Sequence, residues 1–316
     1  MKGKSILLAL SGSQQSRFAT EVCWNLSKRL GVSITAHHII DTHSAWEFLG
    51  QENPGFLKSP AYLQAYHELV SSLFTLGKSL GAAYASEAKE LGVDDVCIID
   101  EGNPITEICA RSANHSMVVI GHKKSKSKLD PRSQFQRLSV AESLATDCPR
   151  PLLVVQDDCP SWTSLSIMIS LDHINELFIN SCLDMAQALG LPATLLCLTG
   201  GAHEESPADF VANMRAANQR LRELPITLAP AQQNIDVNLL KWFAPPDRPF
   251  DPELWNNTLI VIPTRMVAGE RITVVDSSPS QFVRHLVMPS ILMWPEEYVF
   301  QVQQEKVEGK ELSSIS

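Results

Sequence analysis

One order of strand-like and helix-like segments occurs twice along this chain, and this repetition constrains the fold more than any other feature. Residues 25–36 and residues 184–195 show it best, because in both a helix ends at a glycine and a strand follows shortly afterwards. Glycine commonly ends a helix because it adopts the left-handed conformation without strain. A chain of 316 residues also exceeds the usual size of a single core. We therefore expect two similar domains at 1–157 and 165–294, a linker at 158–164 and a tail at 295–316.

The first half alternates five apolar segments of strand length with four amphipathic segments. Continuous apolar runs such as Ser5–Leu10 are typical of parallel strands that are covered on both faces. In Gln14–Leu30 the apolar residues recur every four positions, which predicts a helix that ends before Gly31. This alternation predicts an α/β fold with a five-stranded, doubly wound parallel sheet and right-handed crossovers. The other predicted elements are strands at Ser33–Ile40, Val96–Ile99, Met117–Ile120 and Leu152–Val155 and helices at Ala61–Leu91, Pro104–Ala113 and Phe135–Thr146.

The second half repeats this order with less regular spacing, and it predicts a second sheet of the same kind in tandem with the first. Its middle is richer in proline, and the third strand is expected near Ile226. The other predicted elements are strands at Ser166–Leu171, Ala193–Leu198, Leu254–Ile262 and Ser290–Met293 and a helix at Ile174–Leu189.

Composition narrows the classes of function. Hydrophobic residues make up 44% of the chain and charged residues 19%, which excludes global disorder. A net charge of −9 argues against nucleic acid as the main partner, because phosphate backbones attract basic faces. The sequence shows neither a signal peptide nor an apolar run of about 20 residues that could span a bilayer. We expect a cytoplasmic protein without membrane insertion.

Cysteine and histidine spacing gives no support for a metal site. The seven cysteines include no C-x-x-C pair, and their apolar surroundings predict reduced thiols. His37, His38 and His43 lie close together but lack matching ligands at zinc spacing. We expect these histidines to be ordinary surface or loop residues.

Several segments of the first half resemble the universal stress protein family. Leu8–Ser16 resembles the opening strand and turn of that family, and Met117–Gly121 resembles its fourth strand with the following glycine. Leu138–Val155 resembles a helix start and the closing strand. The second half is more divergent, but Ser170–Asp172 and Met288–Met293 fall at corresponding places, as does Asp276–Ser278. The resemblance implies two Rossmann-like domains of the adenine nucleotide alpha hydrolase-like fold in tandem.

The resemblance implies a possible nucleotide-binding site. In a doubly wound sheet the ligand crevice lies beyond the carboxyl ends of the strands, where the strand order reverses. Nucleotide-binding members of the family use an Asp in the first turn and a G-x-x-G-x9-G-[ST] loop after strand four. The glycines let backbone N–H groups approach phosphates, and the Ser or Thr lies at a helix N-terminus that favours an anion.

The first half keeps only part of that pattern. Ser11 stands where the family has Asp, and the loop after strand four begins at Gly121. The second and third glycines of the loop are replaced by Lys124 and Leu138, whereas Ser139 is retained.

The second half departs differently. Asp172 lies in its first turn, but Pro263 and Met266 replace the first two glycines of the loop, and Asp276 precedes Ser277. A carboxylate at that helix start would repel a phosphate. We expect neither half to bind ATP in the usual way of the family, and no cofactor is expected, with ATP or another adenine nucleotide as the alternative.

Some residues remain candidates for ligand binding. The lysines of residues 123–128 could act as counter-charges for an anion, but a solvated loop on an acidic protein is the favoured explanation. Ser139 and Ser277 are expected to be helix N-caps rather than ligand contacts. The candidate ligand-binding residues are Ser11, Gly12, Gly121, Lys123, Lys124, Ser139, Asp172 and Ser277.

The sequence favours a protein that is not an enzyme. The turn Leu10–Ser16 faintly resembles the S-G-G-x-D-S loop of ATP pyrophosphatases but lacks its second glycine and its Asp, and no G-x-S-x-G elbow is present. The leading hypothesis is a stress-response protein that acts by association. The resemblance implies that its domains pair through their last strands as a pseudo-dimer, with a homodimer and an unknown protein partner as further associations. One alternative is a sensor that binds a nucleotide or another small anion in one crevice. The other is a regulatory partner of a transporter or enzyme that binds through the tail at 295–316.

Overall fold

The computed structural model describes residues 5–50, 60–123, 138–159, 161–170, 174–199, 206–230, 253–264, 279–284, 286, 288–295 and 297–298. The chain divides into two compact units, Lys2–Asp157 and Asp158–Ser316.

The first unit alternates strands and helices. Its strands are all parallel and lie in the order β3-β2-β1-β4-β5, so the strand order reverses between β1 and β4. The predicted doubly wound α/β fold is confirmed for this unit. The elements are β1 (Ser5–Ala9), α1 (Gln14–Leu30), β2 (Ser33–Ile40), α2 (Thr42–Gly50), α3 (Pro60–Glu90), β3 (Asp95–Glu101), α4 (Pro104–Ser112), β4 (Met117–Gly121), α5 (Val140–Asp147) and β5 (Leu152–Val155).

Local sequence explains why α1 begins and ends where the spacing predicts. Ser13 is its N-cap, and the Ser13 hydroxyl accepts a hydrogen bond from the backbone N–H of Ser16. Gly31 ends the helix with a φ of 64°, and its N–H donates to the carbonyl of Ser27. The helix therefore starts directly beyond the carboxyl end of β1, where the first candidate residues lie.

Helix α3 contacts the sheet through only part of its length. A Cβ added at Gly77 would lie 2.8 Å from Cδ2 of His38 on β2, and one added at Gly81 would lie 3.0 Å from Sγ of Cys97 on β3. Every residue of α3 is described, and none before Gly77 is buried. The two glycines thus let the second half of α3 approach the sheet closely, while its first half stays outside the core. None of the described helices combines the length and the apolar character needed to cross a bilayer.

The second unit has the same architecture as the first. Its described strands are parallel in the order β8-β7-β6-β9-β10, which reproduces the order of the first sheet. Trp294 is fully buried at the end of β10 and packs edge-to-face on Phe178. The elements are β6 (Ser164–Ser170), α6 (Glu176–Leu189), β7 (Ala193–Thr199), α7 (Pro207–Ala217), a 3₁₀ turn (Gln219–Leu221), β8 (Ile226–Pro230), α8 (Glu253–Asn256), β9 (Thr258–Pro263), α9 (Pro279–Arg284) and β10 (Ser290–Trp294).

Several predicted bounds were wrong. The helix predicted from Phe135 starts at Val140, because Ser139 caps it; residues 135–137 lie outside the described residues. The strand predicted from Leu254 starts at Thr258, because a short helix, α8, precedes it. Strand β6 begins at Ser164, inside the predicted linker, and helix α2 was not predicted at all.

Candidate functional site

The turn between β1 and α1 is held by its own serines. The N–H of Ser11 donates to Oγ of Ser16 at 2.8 Å, and the N–H of Ser13 donates to Oγ of Ser11 at 3.4 Å. The N–H of Ser16 donates to Oγ of Ser13 at 3.1 Å. Three backbone donors at the start of α1 are therefore bonded inside the turn, in the region where a phosphate-binding protein would direct such donors at its ligand.

Gly121 ends β4 directly beneath the first turn of α1. A Cβ added at Gly121 would lie 2.5 Å from the carbonyl oxygen of Gln15 and 2.5 Å from the backbone nitrogen of Ser16. These atoms belong to helix backbone and cannot rotate away. The absence of a side chain at Gly121 is thus required for α1 to pack on β4, without reference to any ligand.

Ser139 caps α5, as the sequence predicts. Its hydroxyl accepts from the N–H of Glu142 at 3.2 Å, and a carboxylate oxygen of Glu142 accepts from the N–H of Ser139 at 3.0 Å. This pair is a capping box, and it places a buried carboxylate at the helix N-terminus. The ring of His122, which directly follows β4, is also buried, and its Nδ1 lies 3.3 Å from Oγ of Ser139. Ser139 therefore lies beside the end of β4, close to Gly121.

The other predicted site residues divide into two groups. Gly12 lies in the β1–α1 turn, and Lys123 is exposed just after β4. Lys124, Asp172 and Ser277 lie outside the described residues. The structure thus brings Ser11, Gly12, Gly121 and Ser139 to one edge of the first sheet, at the point where the strand order reverses.

A pocket of about 160 Å³ opens on the other side of the β1–α1 turn, between α1 and α3. Trp24 and Tyr84 stack against each other in its wall with ring centroids 5.8 Å apart, and both residues are only 4% exposed. Burial raises the pKa of Tyr84 far above its usual range, so the phenol stays neutral. The lining includes Ser11 and Gly12 from the turn, Arg17 and Trp24 from α1 and Tyr84 and Glu87 from α3.

Arg17 bridges the two helices at this pocket. Its Nε donates to Glu21 at 2.8 Å, its Nη1 donates to Glu87 of α3, and its guanidinium lies 5.4 Å from the ring centroid of Trp24. Both carboxylates raise the pKa of Arg17, the Glu87 hydrogen bond most of all. Among the described residues that line the pocket, Arg17 carries the only positive charge, and two carboxylates already match it.

Sequence reasoning missed these pocket residues. Arg17 and Glu21 could be recognised as an i,i+4 pair on a helix. Nothing in the pattern, however, says that Tyr84 and Glu87 of α3 meet Trp24 and Arg17 of α1, because the two segments are far apart in the chain.

A second polar cluster lies in the first unit, and it corrects the expectation for one histidine. His37 is 1% exposed rather than on the surface, because its side chain points from β2 into the interior. Its Nε2 lies 2.9 Å from Oδ2 of Asp100, which also accepts from Arg111 at 2.6 Å. His38 bonds the carbonyl of Leu10 through Nδ1 at 3.0 Å. Within the part of the chain that the structure describes, no three His, Cys, Asp or Glu side chains are grouped closely enough to hold a metal ion.

Residues 3–156 match the universal stress protein family, which agrees with the fold and with the position of the β1–α1 turn. This part of the chain belongs to that family. The match covers nearly the whole first unit, which is therefore a universal stress protein domain, and membership of the family supports a stress-related role.

Solved structures extend the likeness over both units. A universal stress protein from Archaeoglobus fulgidus DSM 4304 has a TM-score of 0.62 at 16% identity, covering 94% of this chain and 100% of its own. A putative universal stress protein from Pseudomonas aeruginosa UCBPP-PA14 has a TM-score of 0.52 at 12% identity, covering 93% of this chain and 94% of its own. At such identities the likeness shows the fold alone. No curated protein matches the chain in sequence.

The universal stress protein domain thus carries two separate features at the β1–α1 turn. On one side Gly121 and Ser139 hold α1 and α5 in place, and on the other side α1 and α3 enclose the pocket. Gly121 packs beneath the start of α1, and the pocket is lined by residues of the same turn. Neither Gly121 nor Ser139 lines the pocket.

Proposed function

We propose that this chain acts in a stress response by association with a ligand or partner rather than by catalysis, and without the phosphate loop typical of its family. The observation that carries the proposal is the bonding of the β1–α1 turn. The N–H groups of Ser11, Ser13 and Ser16 already donate to serine hydroxyls. A ligand that used these N–H groups would have to displace these bonds, each of which contributes roughly 0.5–1.5 kcal/mol.

The start of α5 supports the same proposal. A phosphate bound at a helix N-terminus is stabilised by free N–H groups and by the helix dipole. Here the hydroxyl of Ser139 already accepts from the N–H of Glu142, and the carboxylate of Glu142 accepts from the N–H of Ser139. A phosphate at this position would meet a like charge held by the capping box.

Native mass spectrometry of the full chain, with and without Mg-ATP, tests the proposal. We expect no nucleotide to co-purify and no stoichiometric complex at micromolar ATP, and we expect no phosphate release above the rate in buffer. A nucleotide that survives purification at one per chain would overturn the binding part of the proposal. Turnover of ATP that is lost in Ser139→Ala would overturn the non-catalytic part.

The Ser139→Asp variant is a matched control for this experiment. It keeps an N-cap on α5 but adds a second carboxylate beside Glu142. If the wild-type chain bound ATP through this helix start, Ser139→Asp would weaken binding strongly while leaving the domain folded.

A further inference from the structure

The pocket between α1 and α3 has the volume of a single small ring. At about 160 Å³ it is similar to an engineered cavity of roughly 150 Å³ that takes up benzene in another protein. It is well below the roughly 300–1,000 Å³ typical of sites for drug-sized ligands. The pocket is therefore too small to enclose an adenine nucleotide, whereas it can enclose a molecule with one ring.

The walls of the pocket are mainly apolar and are held in place. Leu10, Leu80 and Ala83 contribute aliphatic surface, and the rings of Trp24 and Tyr84 contribute an aromatic face. The two aromatic rings are almost parallel, with 28° between their planes, and each is anchored by burial. The exposed part of these rings and the aliphatic side chains together favour an apolar body, since contact with them removes apolar surface from water.

The charges around the pocket disfavour an anion. Arg17 is bonded to both Glu21 and Glu87, so these side chains together carry one net negative charge. Glu87 itself lines the pocket. A phosphate or carboxylate ligand would therefore approach a guanidinium that already has two partners, and it would be repelled by a carboxylate.

The hydroxyls at and beside the β1–α1 turn suit a single uncharged hydrogen-bonding group. The hydroxyl of Thr20 donates to the carbonyl of Ser16 at 2.7 Å and is thus engaged. The hydroxyls of Ser11 and Ser13 lie 3.0 Å apart at the turn and are exposed, so either one can donate to or accept from a ligand.

We infer that the pocket between α1 and α3 is a binding site for a small, uncharged molecule with one ring and one hydroxyl or carbonyl group. The ring lies against Trp24 and Tyr84, and the polar group lies toward Ser11 and Ser13. This site is separate from the Gly121 and Ser139 positions, so the outcome with Mg-ATP does not decide it.

Two probes of nearly equal size but different charge test the inference on the full-length protein. Benzyl alcohol is uncharged, and benzoate is an anion. We expect benzyl alcohol to bind saturably in an NMR titration and to shift the indole N–H signal of Trp24, which is assigned by its loss in Trp24→Phe. We expect benzoate to bind at least tenfold more weakly. The absence of saturable benzyl alcohol binding, or equal binding of the two probes, would overturn the inference.

Two neighbouring alanines of α3 provide a matched pair of variants. Ala83 lines the pocket, whereas Ala82 is exposed and does not. We expect Ala83→Leu to fill the pocket and to weaken the binding of benzyl alcohol at least tenfold. We expect Ala82→Leu to leave the affinity for benzyl alcohol unchanged. Both positions are exposed, so circular dichroism should show the same fold for both variants. Equal affinity of the two variants would place the binding elsewhere and refute the site.

A charge variant checks the reason given for selectivity. Glu87→Gln removes the carboxylate from the pocket wall but keeps the length of the side chain. We expect Glu87→Gln to reduce the ratio of the benzyl alcohol affinity to the benzoate affinity severalfold. The reason is that Arg17 then keeps only Glu21 as a negatively charged partner. If the ratio stays the same, charge repulsion at Glu87 does not determine the preference. A variant that loses the fold is recognised from circular dichroism, and Ala83→Leu still tests the site in that case.

Discussion

Adding one methyl group at Gly121 should destabilise the first unit more than most single substitutions do. The new Cβ in Gly121→Ala would lie 2.5 Å from the Gln15 carbonyl oxygen and from the Ser16 nitrogen, whereas ordinary contacts begin at 3.4 Å. The overlap of about 0.9 Å must be relieved by moving α1 away from β4, because neither backbone atom can rotate. Overpacking a core typically costs about 1–3 kcal/mol, and a rigid backbone neighbour puts this case near the upper end, at about 3 kcal/mol.

The thiol of Cys23 reports this loss. Cys23 lies on α1, is fully buried and is unpaired, so a thiol reagent reaches it only when the first unit opens. Labelling in increasing urea, followed by mass spectrometry of the peptide that contains Cys23, gives an unfolding midpoint for this unit alone. With a urea dependence of about 2 kcal/mol per molar, Gly121→Ala should lower the midpoint by about 1.5 M.

Gly12→Ala is the control for that experiment. A Cβ at Gly12 meets nothing within 4 Å, and the residue does not have a left-handed φ. The substitution should leave the midpoint unchanged or raise it slightly, since alanine restricts the unfolded chain. If Gly121→Ala unfolds at the wild-type midpoint, the close approach of α1 to β4 is refuted. If Gly121→Ala keeps the wild-type midpoint but loses ligand binding, the missing side chain at Gly121 is needed for a ligand rather than for helix packing.

Three further perturbations have outcomes that follow from described contacts. Ser139→Ala should destabilise the first unit by about 1 kcal/mol in urea unfolding, because the N-cap of α5 is lost. Burial lowers the pKa of His37 and of His115 below the usual value near 6.5, so the unfolded chain binds more protons in acid. The stability of this unit should therefore be fully present above about pH 6.5 and decline as the pH falls, as measured by urea midpoints between pH 8 and pH 5. Trp294→Ala should cost the second unit about 3–5 kcal/mol, because the side chain is fully buried, and labelling of the buried Cys182 measures it.

Each of these perturbations has its own control. Ser139→Asp should retain most of the stability that Ser139→Ala loses, and equal losses would contradict the capping role. His37→Gln should flatten the pH dependence, and an unchanged slope would assign it to other groups. Leu177 on α6 is 61% exposed, so Leu177→Ala should change the free energy of unfolding measured by Cys182 labelling by less than about 0.5 kcal/mol.

The sequence alone predicts those helices and strands whose signals lie within a few neighbouring residues. The apolar runs of β1 and β5 and the glycines that end α1 and α6 could be read directly, and Gly31 and Gly190 have the left-handed φ that such ends require. Helix α2 was missed because it lies in a segment that proline and glycine made look irregular. The start of α5 was missed because apolar periodicity continued past the cap at Ser139.

The site was less predictable because it depends on distant contacts. Gly121 was interpreted as a residue that gives a phosphate access to the backbone, but the structure places helix backbone there. Both roles need the same residue type for the same reason, namely close approach without a Cβ, so the sequence alone cannot separate them. The stacking of Trp24 on Tyr84 depends on which helices lie side by side, and no local pattern encodes that.

Helix α3 is 31 residues, or about 46 Å, long, but only the part from Gly77 onward reaches the sheet. Its first part contributes no buried residue, and Leu76, at the end of that part, is 66% exposed. Unwinding this part would therefore expose little apolar surface, and its amide hydrogens should exchange with solvent long before the amides near Tyr84 do. We therefore expect one continuous helix to contain a segment that opens with the whole domain and a segment that opens alone. Substitutions in the part of α3 before Gly77 can therefore change the molecules that this surface binds while leaving the core of the domain intact.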